Sequence, residues 1–260
     1  MNALLVISIA SAAAIASVAG GWIALWRTPT TLFMSSVLGF ASGVLFATIS
    51  FEMLPLAIDK GSLWLAIAGF LTGCALVYLL DLFVHRGKLA GPQSQQRRSV
   101  ERFYHRRRPR GTEVTVLAAG TSVEELIEGL SIGVGASIEP TAGLLIALAI
   151  AIDNLSEGMS IGELVLAEAA TSGGTERRRV LGWTGAIAAA VLGSALVGWL
   201  FLRSIPLAAL AFLMASGAGG MFYLTVAKLV PQAEERHYQQ SAALSITAGF
   251  LLILALSEWS

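Results

Sequence analysis

The sequence predicts an all-α membrane protein of eight transmembrane helices. Of its 260 residues 55% are hydrophobic and only 13% charged, well below the roughly 25% charged residues of a soluble domain. Uncharged apolar runs of the roughly 20 residues needed to cross about 30 Å of hydrocarbon follow one another along the chain. The cations collect in alternate connections between those runs, as they do when one side of a membrane retains them.

Reading the runs between charges and turn residues places helices over 2–26, 31–56, 62–85, 113–136, 141–168, 179–202, 206–230 and 240–258. The first lacks a basic leading region and continues for about 25 residues, too long for a cleaved signal, so it is expected to be a membrane helix. Of the 17 Lys and Arg, fourteen fall on one side: Arg27, nine between residues 86 and 110, Arg177 to Arg179, and Arg236. Lys60 and Arg203 fall opposite, and Lys228 near the end of an apolar segment. The positive-inside rule then puts both termini outside the plasma membrane and the 86–112 connection in the cytoplasm. That connection is polar, basic and without apolar periodicity. It is expected to be disordered or to lie against anionic headgroups, and nothing is assigned to His85 or His105 within it. Net charge is zero and no feature points to nucleic acid. The one cysteine, Cys74, lies in an apolar run as a small packing residue, with no disulfide to form.

Two internal echoes appear. Residues 124–133, Glu-Glu-Leu-Ile-Glu-Gly-Leu-Ser-Ile-Gly, return 29 positions later as residues 153–162, Asp-Asn-Leu-Ser-Glu-Gly-Met-Ser-Ile-Gly. A weaker one relates Gly43 through Pro55 to Gly219 through Pro231, matching Phe46 to Phe222 and Glu52 to Lys228. Inverted repeats are a common plan of secondary transporters, with the substrate site at the repeat interface. Three helices, two central ones and three more fit it.

The first echo sets five acids, Glu124, Glu125, Glu128, Asp153 and Glu157, inside the fourth and fifth helices. An acid at a helix centre costs about 2.5–3.5 kcal/mol to insert, so five unpaired ones would cost on the order of 10 kcal/mol. Glu124 and Glu128 are four apart, as are Asp153 and Glu157, so each pair projects from one face of its helix. Facing each other, the pairs form a four-carboxylate cage. Protons, buried cations or a metal ion could neutralise it. With the other cations in connections and Lys228 placed toward a boundary, protons and a divalent metal remain, and the metal binds several oxygens at once. Glu125 and Asn154 could supply oxygens to a neighbouring second position. Gly129, Gly133, Gly158 and Gly162 form small-residue stripes that let helices approach closely. Glu52 and Lys228, each three residues before a proline, form either a gate or exit, or an ion pair tying the two halves together.

These residues resemble the ZIP (Zrt/Irt-like) metal-ion transporters. The HNxPEG-like motifs of that family's fourth and fifth helices are matched by Glu124 to Gly129 and by Asp153 to Gly158. Where that family tends to have an acidic or histidine residue before a proline in the second and seventh helices, this chain has Glu52 with Pro55 and Lys228 with Pro231. The resemblance implies a three-two-three arrangement around a two-position metal site, and a homodimer. The chain departs from the pattern at Glu124 and Asp153, which replace both histidines, at Ile127 and Ser156, which replace both prolines, and at Ala188 and Ala189, where the family often has a glutamate.

The expected function is transport of a divalent metal ion, zinc by family. A site of carboxylates and an amide also suits harder cations such as manganese, magnesium or ferrous iron. The ion would be substrate rather than resident cofactor, and no organic cofactor is expected. The alternative is a non-transporting membrane protein whose cluster holds a structural metal or shared protons. An enzyme is not expected, because Ser131 and Ser160, one turn beyond the acids, have no basic partner to activate them.

Overall fold

The computed structural model describes residues 3–84, 113–172, 176–202, 204–234 and 239–258. These are almost entirely helical, as the hydropathy pattern predicts, and form eight long helices: α1 Ala3–Trp26, α2 Thr31–Lys60, α3 Leu63–Val84, α4 Glu113–Ile138, α5 Pro140–Ser172, α6 Glu176–Leu202, α7 Leu207–Glu234 and α8 Gln239–Ser257. Seven are long and apolar enough to cross a membrane. The exception, α4, has the length, at 26 residues, but carries Glu124, Glu125 and Glu128 near its middle. The basic 86–112 connection and Arg236 lie outside the described residues.

Local chemistry sets the helix ends. The Thr30 hydroxyl caps α2 by accepting the Phe33 N–H at 3.3 Å. Ser62 does the same for Leu65 of α3, after a break at Gly61. Pro140 begins α5 and Pro206 immediately precedes α7, where a missing N–H costs nothing.

The second sequence echo is a backbone device. Each of α2 and α7 contains one widened π-helical stretch, Ile49–Met53 and Thr225–Leu229, in the same repeat register. Each stands just before its proline, Pro55 or Pro231. A proline ring inside a helix clashes with the carbonyl four residues back and leaves it unbonded. A π turn there takes up the mismatch without ending the helix. Glu52 and Lys228 ride on these two turns.

Tight pairing of parallel helices holds the bundle together. α2 lies on α8, where a Cβ on Gly43 would fall on the Ile246 carbonyl and one on Gly249 on the Phe40 carbonyl. α3 lies on α7 in the same way, through Gly73 against Ser216 and Gly219 against Phe70. α1 pairs with α5 through Gly20 and Gly158, and α4 with α6 through Gly129 and Gly133. Exchanging α1 with α6, α2 with α7, α3 with α8 and α4 with α5 maps these four pairings onto one another. The exchanged helices run in opposite directions, so the repeat is inverted. The repeated aromatics Phe46 and Phe222 meet edge to face, centroids 5.6 Å apart, and the Ser35 hydroxyl donates to the Ala233 carbonyl at 2.7 Å. Both contacts join α2 to α7. Leu4, Ile15, Leu71, Phe201 and Leu244 stay exposed, as lipid-facing residues would.

Because backbone already occupies the place of a Gly43 side chain, Gly43→Val should destabilise the bundle by about 1–3 kcal/mol, read as a lower melting temperature in detergent. Gly185→Ala, where a Cβ meets nothing within 4 Å, should melt as the parent does. Equal melting of the two variants would contradict the pairing.

Candidate metal centre

α4 and α5 run antiparallel through the turn at Glu139, so the first acid of one motif faces the last acid of the other. Glu124 is level with Glu157, and Glu128 with Asp153. Glu128 and Asp153 are both buried, close enough for their carboxyls to interact.

Lys228 reaches the other level. Its ammonium donates to Glu157 Oε1 at 2.7 Å, to Thr121 Oγ1 at 3.2 Å and to Glu124 Oε2. The side chains of Lys228, Glu124 and Glu157 are 17%, 16% and 8% exposed, so the ion pairs are screened from solvent. This corrects the sequence expectation that left no buried cation for the cage. The reason is orientation: Lys228 is turned from α7 onto Thr121 and Glu124 of α4 and Glu157 of α5, a facing that the position along its own helix does not reveal. The suggested Glu52–Lys228 ion pair does not form. Glu52 is half-buried and takes no part in the ion pairs of Lys228.

Glu125, Glu128, Asp153 and Asn154 are all buried. Asn154 ties the two motif helices to α1, since its amide nitrogen donates to Glu125 Oε2 and to the Ala13 carbonyl, both at 3.2 Å. The Ser194 hydroxyl of α6 donates to the Glu125 carbonyl at 3.1 Å, and Ser156 donates to the Asp153 carbonyl at 2.8 Å. Among the described residues four buried polar side-chain atoms lack a partner: Ser17 Oγ, Glu125 Oε1, Glu128 Oε2 and Asn154 Oδ1. Three of the four are oxygens of this cluster. As they stand, no three His, Cys, Asp or Glu side chains among the described residues close on one point as metal ligands do. Glu124 and Glu157 are turned to the lysine instead.

Thr121 and Ser194 were not among the residues singled out from sequence. Thr121 was within reach, because it lies three residues before Glu124 and therefore on the same helix face. Ser194 was not, because only packing brings α6 against α4.

The family model for the ZIP zinc transporters matches residues 86–257. A zinc transporter ZupT of Corynebacterium glutamicum is 32% identical over 256 residues, covering 94% of each chain. The ZupT of Escherichia coli K12 is 29% identical over 230 residues, covering 86% of this chain and 84% of its own. The acidic motifs, the inverted repeat and these matches agree, and the chain belongs to the ZIP zinc transporter family.

Proposed function

We propose that the chain carries a divalent metal ion across the membrane through the α4–α5 carboxylates. Zinc is the ion that its relatives' names specify, and manganese and ferrous iron are ions that the same oxygens suit. The observation that carries this reading is the set of unpartnered buried oxygens, Glu125 Oε1, Glu128 Oε2 and Asn154 Oδ1. A buried polar atom without a partner is costly. A cation held by Glu125, Glu128, Asp153 and Asn154 would need these side chains to turn toward one point, and would then satisfy the unpartnered oxygens. Zinc accepts carboxylate oxygen at about 2.0–2.2 Å, but a donor set without imidazole or thiolate favours it less strongly over harder ions.

The remaining groups position the oxygens. Asn154 is oriented by the Ala13 carbonyl and by Glu125, and Ser194 steadies the backbone beneath Glu125. The inverted repeat supports alternating access, because its two halves can exchange conformations around a fixed site.

Uptake into liposomes reconstituted with the full chain tests this. The parent should take up zinc, manganese or ferrous iron, and Glu128→Gln with Asp153→Asn should lose about tenfold or more of that flux, the scale seen when groups supporting a metal are removed. Equal flux by both proteins, or none by the parent, would sink the reading. Orientation follows from the charge bias: residues 86–112 lie in the cytoplasm and both termini outside the plasma membrane. Alkaline phosphatase fused after residue 260 should be active in intact cells and inactive when fused within 86–112, and the reverse pattern would invert the topology.

A further inference from the structure

We propose that Lys228 is a tethered cation that permanently fills one of two cation positions, so that the cluster takes a single divalent ion on Glu125, Glu128, Asp153 and Asn154. This rests on the reading of the cluster as the metal path.

The two motif pairs form two levels separated by four residues of helix, roughly 6 Å along the axis. At one level the lysine engages both acids. An ammonium has three N–H donors, and Thr121, Glu124 and Glu157 accept all three. Elsewhere in the cluster Glu125 Oε1, Glu128 Oε2 and Asn154 Oδ1 accept none. The lysine therefore divides the acids into a satisfied pair and an unsatisfied set. An ammonium on the same chain is always present at high effective concentration, so a free ion must displace it to reach Glu124 and Glu157.

The repeat makes the asymmetry plain. The position equivalent to Lys228 is Glu52, on the matching π turn, and it does not enter the cluster's ion pairs. A cavity of about 10 Å³, lined by Thr121, Glu157, Ser160, Lys228 and Gln232, adjoins the lysine. Ser160 and Gln232 lie about one turn beyond Glu157 and Lys228, and Thr121 about one turn before Glu124. The cavity is thus on the far side of the lysine from Glu128 and Asp153, and Lys228 stands between it and the unpartnered oxygens.

The test is metal stoichiometry on the purified full chain in detergent, by equilibrium dialysis against zinc alone and manganese alone followed by elemental analysis. The parent should bind one ion per chain and Lys228→Arg, which keeps the charge, also one. Lys228→Gln should bind two, and adding Glu124→Gln to it should return the count to one. Two ions on the parent, or one on a Lys228→Gln protein that elutes as a folded monodisperse species, would overturn the proposal while leaving the transport reading intact. No ion on any of the proteins would overturn both. Should Lys228→Gln fail to fold, the parent's own count still decides between one position and two.

Discussion

The ammonium of Lys228, held by Thr121, Glu124 and Glu157, is the contact around which the centre of this bundle is organised. Five acids within two adjacent helices cannot all remain charged and unpaired in hydrocarbon. Two are matched by the lysine. A third, Glu125, is half matched by the Asn154 amide. What is left over, on Glu125, Glu128 and Asn154, is a set of buried oxygens with unused acceptor capacity. Breaking the lysine contact would strand two buried carboxylates, the costly way to disrupt a buried ion pair.

The cluster can exist only because helices come close enough to share it. The glycine of each acidic motif presses on a different neighbour, Gly129 on α6 and Gly158 on α1, where an added Cβ would overlap backbone. Membrane helices have little hydrophobic force between them, so small residues that admit close van der Waals contact take its place. The motif repeat therefore has two jobs on each helix, since one face presents acids to the centre and another docks the helix on its outer partner. The π turns add a third element. By absorbing the mismatch before Pro55 and Pro231 they keep α2 and α7 continuous, and they carry Glu52 and Lys228 on their widened backbone.

Much of this was legible from the order of residues alone. Hydrophobic runs are local, and the span boundaries read from them differ from the observed ones by only a few residues. The repeats were visible at constant offsets, and the four-residue spacing of the acids sufficed to put each pair on one helix face. The partners of Lys228 were not legible, because which helices its side chain meets depends on how α7 is rotated against α4 and α5 and not on its place along α7. The π turns left only a shared proline as a trace, since widening of a turn depends on the carbonyls around it rather than on any residue type.

The sequence by itself determined the eight helices, the inverted relation of the two halves and the concentration of acids on α4 and α5. Each follows from side-chain polarity and from periodicities set within a single helix. Only the tertiary structure decided which acids meet the lysine, which oxygens are left without a partner, and that α1 and α6 support the site through Ala13 and Ser194. Those outcomes depend on the rotation and depth of one helix against another, which packing over the whole bundle settles and no local stretch of residues encodes.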